Sequence, residues 1–235
     1  MATLYQRSTI GALLAGIFDG DETVGELLKH GDFGLGTFNA LDGEMVVLDG
    51  VCYHLRSDGR VELADQAGRT PFAAITRFTA EHVLEISTPH SRTELGALID
   101  QAGRSSNITL AVRITGHFAA MKTRTVSAQK KPYPSLDEAA KNEIELDFAD
   151  IPGTLLGFRT PEFEHSIGVA GYHLHFLDDS HTVGGHMLEY ALSEGAVELM
   201  ELTEIHLSLP TRGAFLTADL DPAGAEEQIR RAEQN

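Results

Sequence analysis

Four of the eleven histidines of this 235-residue chain fall within residues 171–190, GYHLHFLDDSHTVGGHMLEY. His173 and His175 are two apart, and in a strand such residues point to one face. Tyr172, Leu174, Phe176 and Val183 suit strands, and Asp178-Asp179-Ser180-His181 suits a turn. A hairpin centred on Ser180 and His181 sets His186 directly opposite His175, with Cβ atoms about 4.5–5.5 Å apart. Three imidazoles then converge on one face, the arrangement of an open three-ligand metal site. A single histidine in a strand is ordinarily a surface or satisfied core residue, but three that meet by independent geometric steps point to a metal. A bulge at Gly184-Gly185 would shift this register. Zinc is the default occupant, and copper, nickel, iron and cobalt also accept such ligands. His181, at the tip of the turn, is assigned to solvent.

Two further residue types bear on chemistry. Arg124 lies in the most basic stretch of an acidic chain, near Lys122, Lys130 and Lys131. Such a run is ordinarily a solvated surface; its functional reading is a cationic clamp, because a guanidinium matches a carboxylate. Glu44 follows the Asp42-Gly43 turn at a strand entrance, and matters only if the fold brings it to the histidines. Glu162, Glu164, His165 and Glu189 rank lower. No His-Glu-x-x-His, Gly-x-Ser-x-Gly, Walker or Rossmann motif is present.

The elements that must position these residues are mostly strands. Asp42-Gly43, Asp49-Gly50 and Asp58-Gly59 punctuate residues 38–61 as a meander. Residues 75–86 supply two more strands, and residues 108–116 continue toward 121–126. Strand-like runs then cover 144–148, 153–159, 167–177, 182–192 and 196–209. Helices are expected at 8–18 with Ser8 as N-cap, at 23–31, at 91–103 with Leu95, Leu98 and Ile99 inward, at 136–142 and at 222–233. The glycine-rich Asp32-Phe33-Gly34-Leu35-Gly36-Thr37 run reads as tight turns entering a strand, since it lacks the Gly-Lys-Ser/Thr ending of a phosphate loop. Residues 129–135 form the linker candidate. Gly36-Thr37-Phe38 echoes Gly153-Thr154-Leu155, and Tyr53-His54-Leu55 echoes Tyr172-His173-Leu174, hinting at a duplicated β-rich unit.

Composition sets the outer limits. A net charge of -17 argues against nucleic-acid or anionic-membrane partners. The single cysteine, Cys52, excludes an internal disulfide framework and a cysteine-rich metal site. Without a signal-like N-terminus or an apolar run long enough to span a bilayer, the chain is expected in the cytoplasm.

The segments Tyr5-Gln6-x-Ser8-Thr9, Asp32-Phe33-Gly34-Leu35-Gly36-Thr37-Phe38, Leu41-Asp42-Gly43-Glu44-Met45, Gly171-Tyr172-His173-Leu174-His175-Phe176 and Gly184-Gly185-His186 together resemble the α-acetolactate decarboxylase family, in order along nearly the whole chain. The resemblance implies a zinc enzyme that converts α-acetolactate (2-hydroxy-2-methyl-3-oxobutanoate) to acetoin and CO2. It implies His173, His175 and His186 as metal ligands, Glu44, Arg124 and Thr37 in the active site, and a glutamate from the C-terminal tail. Glu233 is the nearest match to that last residue, with Glu226 and Glu227 as alternatives. It further implies a β-rich α/β (α+β) homodimer whose two domains are each built on a large mixed or antiparallel sheet with flanking helices. We expect residues 1–128 as the N-terminal α/β domain and 129–235 as the β-rich domain carrying the metal site.

In the chemistry so implied, losing CO2 from a β-keto acid leaves an enediolate, whose charge a Lewis-acidic metal stabilises without an organic cofactor. Arg124 would hold the carboxylate or stabilise developing charge, and Glu44 would relay a proton; whether Glu44 instead ligates the metal stays open. A metal-dependent binding module, a zinc hydrolase and a structural metal site are the competing readings.

Overall fold

The computed structural model describes residues 2–220; the expected helix at 222–233, together with Glu226, Glu227 and Glu233, lies outside the described residues. In chain order the strands are β1 (Thr3–Arg7), β2 (Glu22–Thr23), β3 (Phe33–Thr37), β4 (Glu44–Leu48), β5 (Val51–Leu55), β6 (Val61–Leu63), β7 (Arg69–Thr70), β8 (Ala73–Thr76), β9 (His82–Ile86), β10 (His90–Ser91), β11 (Thr109–Thr125), β12 (Ile144–Thr160), β13 (Gly171–Asp178), β14 (Gly184–Leu202) and β15 (Glu204–Ser208). The α-helices are α1 (Ile10–Leu14), α2 (Val24–Leu27), α3 (Arg92–Ala102) and α4 (Leu136–Ala140).

Two large sheets result. The first runs β15-β1-β8-β3-β4-β5-β6, and the three aspartate–glycine turns produce the β3-β4-β5-β6 end of it as an antiparallel meander. The second runs β10-β14-β11-β12-β13, with β9 added along β14. It also curls on itself, because β14 pairs with β11 through part of its length and with β13 through the hairpin at 175–186. The sheets divide between Thr76 and His82. The strand β11, upstream of residue 128, is interior to the second sheet, and β15, downstream of it, edges the first. The tripeptide echo does not correspond to a repeated strand order: β3 and β5 flank β4, whereas β12 and β13 pair directly.

Alternation distributes the side chains between layers. Leu35, Val46, Tyr53 and Leu55 of the first sheet meet Leu156, Phe158, Leu177 and Met200 of the second. On the outer face of the second sheet, Leu174, Phe176, Val112 and Ile114 pack under Leu95 and Ile99 of α3. Val24 and Leu27 of α2 cover Met45, Val47 and Ile75 on the outer face of the first.

Three strands carry an extra residue in their ladders. Ala119 of β11, Asp150 of β12 and Ser193 of β14 are skipped by the pairing, as is Leu188 of β14. Each extra residue inverts the alternation beyond it. Thus Ile114 and Phe118 of β11 face α3 at even positions, while Met121 does so at an odd one.

Local chemistry explains most helix limits and corrects others. Ser91 and Glu94 close a capping box on α3, and Ser135 and Glu138 do so on α4. The first helix is shorter than expected, and its N-cap is Thr9, whose hydroxyl accepts from the Ala12 amide; Ser8 instead has a left-handed backbone, with φ 62°. The separate strand runs at 144–148 and 153–159 are one 17-residue strand, continuous through Pro152.

Candidate metal centre

The β13–β14 hairpin has the expected register. His175 pairs with His186, Phe176 with Gly185 and Leu177 with Gly184, so the glycines introduce no shift. His173 and His175 share the inward face with Leu177, and all three histidines are buried between the two sheets. Their ring centroids are 5.1–5.3 Å apart, and one ring nitrogen from each lies within 4.8 Å of the others. His181 stays in the turn, where its Nδ1 lies 3.1 Å from the Tyr53 hydroxyl.

The rings are prepared as ligands. The Met45 carbonyl of β4 lies 2.9 Å from His175 Nδ1, so that nitrogen carries the proton and donates, leaving Nε2 with its lone pair. His175 Nε2 is fully buried and has no hydrogen-bond partner among the described residues. Burial pushes this imidazole down to about 4, against the carbonyl contact and with help from Arg124. Burial, followed by His175 and Arg124, holds His173 well below the ordinary imidazole range. Buried neutral imidazoles around an orphaned lone pair are a donor set that fits a borderline-soft divalent ion.

Arg124 and Glu44 arrive from opposite sheets. Arg124 sits directly opposite His186 across the β11–β14 ladder. It is buried, and its Nη1 donates to Glu143 over 2.9 Å. Glu44 opens β4, between Thr37 on β3 and Leu55 on β5, and shares its inward face with Val46. Its Oε2 is 3.5 Å from His175 Nε2. Thr37 is buried, and its hydroxyl donates to the Gly43 carbonyl over 2.7 Å.

These groups line one small cavity. Thr37, Glu44, Arg124, His173 and His186 form its polar wall, and Ile10, Leu13, Leu41, Phe72, Val126 and Leu136 its apolar one. The apolar wall belongs to a cluster that joins α1 to α4. Sequence reasoning found both helices but not their place over the cavity, since an apolar helix face looks the same whether it covers core or substrate. It also missed Glu143 and the Met45 carbonyl; a backbone acceptor leaves no residue-type signal at all. The lower-ranked Glu164 is buried against Thr109, away from the cavity lining, and burial raises its carboxyl.

The fold and the cluster define a β-rich protein with a buried three-histidine group able to hold a metal ion. A family model described as Alpha-acetolactate decarboxylase matches residues 4–222. The alpha-acetolactate decarboxylase of Methylococcus capsulatus is 42% identical over 98% of this chain and 88% of its own length. That of Klebsiella aerogenes is 41% identical over 99% and 89%. The crystal structure of alpha-acetolactate decarboxylase from Bacillus subtilis strain 168 superposes with a TM-score of 0.97 at 39% identity, covering 99% of this chain and 100% of that one. The chain belongs to the alpha-acetolactate decarboxylase family.

Proposed function

We propose that this chain is a zinc-dependent decarboxylase that converts α-acetolactate to acetoin and CO2. The observation that carries the reading is the juxtaposition, in one cavity, of a ligand-ready histidine cluster with a buried guanidinium and a carboxylate. His173, His175 and His186 would hold the zinc. When bound, the ion supplies Lewis acidity where negative charge develops as CO2 leaves.

The remaining steps belong to side chains. Arg124 binds the substrate carboxylate, and its own tie to Glu143 fixes the guanidinium plane. The apolar wall of Ile10, Leu13, Leu41 and Leu136 seats the two methyl groups and excludes water, which strengthens every charge interaction inside. Departure of CO2 from the β-keto acid leaves an enediolate, and Glu44 delivers the proton that completes acetoin. Because Glu44 approaches from the first sheet alone, it protonates one face and sets the chirality of the product. Thr37 fixes the turn that precedes Glu44, and Glu233 supplies a further carboxylate to the reaction. The homodimer belongs to the same reading, and sedimentation at twice the 25.4 kDa chain mass tests it.

The decisive experiment follows CO2 and acetoin release from racemic α-acetolactate before chelation, after it, and after zinc repletion. Turnover lost to the chelator and restored by zinc is expected. Absence of turnover with one equivalent of zinc bound would sink the assignment.

A further inference from the structure

The turn leading into Glu44 is strained. Ala40, Leu41 and Gly43 all have positive φ, at 64°, 54° and 72°. For the two residues that carry a Cβ, such a conformation is strained and persists only where surroundings impose it. Backbone contacts hold the turn from outside: the Ala40 amide donates to Phe18, the Gln129 amide donates to the Ala40 carbonyl, and the Gly43 amide donates to Val126.

Two side chains grip it from the neighbouring strands. From β3, Thr37 holds the Gly43 carbonyl. From β5, His54 Nε2 reaches the Asp42 carbonyl at 2.5 Å. The His54 ring is buried and stacked on Phe38, with centroids 3.8 Å apart and planes 21° apart, so it has little freedom to turn. Burial lowers its basicity, which keeps the ring neutral with Nε2–H as donor. Arg56 Nη1 holds the Asp42 carboxylate at 2.5 Å. The Gly43 carbonyl belongs to the same peptide plane as the Glu44 amide. Fixing the Asp42 and Gly43 carbonyls therefore fixes the direction in which the Glu44 side chain leaves the backbone.

We infer that His54 is a positioning residue for Glu44: its N–H to the Asp42 carbonyl locks the strained turn that aims the carboxylate at the metal centre. This rests on the proton-delivery reading of Glu44. No contact of His54 with the cavity lining is required, and it is absent from that lining.

The test compares zinc-loaded His54→Phe, His54→Gln and His54→Asn with the parent and with Glu44→Gln. Phenylalanine keeps the stack and loses the N–H. The glutamine amide places a donor near the old Nε2 position, and the asparagine amide falls short of it. His54→Phe is expected to bind one equivalent of zinc and to keep KM nearly unchanged. Its kcat should fall roughly ten- to a hundredfold, the scale of a catalytic group misplaced by about 1 Å, and its acetoin should shift toward racemic. His54→Gln should recover both kcat and the enantiomeric ratio. Parental kcat and ratio in His54→Phe, alongside a dead Glu44→Gln, would overturn the inference and leave the function standing. Equal losses in the Phe, Asn and Gln variants would also overturn it. Full turnover in Glu44→Gln would remove the proton-delivery reading and this inference with it. If His54→Phe does not fold, the contrast between Gln and Asn carries the same decision.

Discussion

A single backbone carbonyl decides what His175 can do. With Nδ1 committed to Met45, 2.9 Å away, the lone pair on Nε2 faces the other two rings. Burial makes protonation there costly in the chelated protein. Between the ordinary imidazole value near 6.5 and about 4, the unfolded chain binds a proton at this position and the folded chain does not. Stability is therefore fully present above the upper limit and falls as pH is lowered through the window. We expect urea unfolding of chelated protein to show a loss of about 2 kcal/mol from this residue between pH 7 and pH 5, with a shallower slope in His175→Gln. An unchanged slope in that variant would show that other groups carry the dependence. Glu201, held down by its hydrogen bond from Arg104, acts in a separate window, losing its contribution only as pH falls through its lowered folded value.

At the level of elements, the site depends on strand alternation being broken at chosen places. Counting by twos from Ile114, which faces α3, would put Arg124 on that face too. The extra residue at Ala119 turns it over, toward His186 and the space between the sheets. Deleting Ala119 is expected to exchange the faces of Met121 and Arg124, abolishing turnover and lowering Tm. Ala119→Ser, at an exposed position, should leave both near the parent. Activity and thermal melts of the two variants, side by side, separate the residue count from the side chain; equal behaviour would refute the bulge as the device that aims Arg124.

This also explains what was legible in the sequence. The three histidines could be placed because their hairpin is regular, its register running unshifted through Gly184 and Gly185. The helix α3 was legible for a similar reason, since Leu95, Leu98 and Ile99 recur on one face as a local pattern, and Leu95 and Ile99 are buried. Arg124 and Glu44 could be nominated as residue types but not joined to the histidines by spacing, and the family resemblance alone grouped them. One depends on bulges at Ala119, Asp150 and Ser193 that no residue type announces. The other lies on a different sheet, reached only through inter-sheet packing. Thr9 took the N-cap from Ser8 because the chain turns left-handed at Ser8 as it leaves β1.

For the molecule as a whole, the three-histidine cluster sits where the two sheets press together. All three histidines come from β13 and β14 of the second sheet, while His175 also bonds to Met45 of the first. Binding an ion there would stiffen the hairpin directly and the sheet-to-sheet contact through that one hydrogen bond. An ion that binds only the folded chain stabilises it by about 2.7 kcal/mol when its free concentration is a hundred times Kd. For a chain of this size that corresponds to a rise in Tm of roughly 5–10 °C. We expect this rise on adding zinc to chelated protein, and its loss in His186→Ala. Amide exchange should slow most along the β13–β14 hairpin and at the start of β4, and least in β9, which pairs with the end of β14 far along the strand from His186. Protection gained uniformly over the chain would mean that zinc acts on global unfolding alone. Protection confined to the hairpin would mean that the Met45 bond transmits nothing to the first sheet.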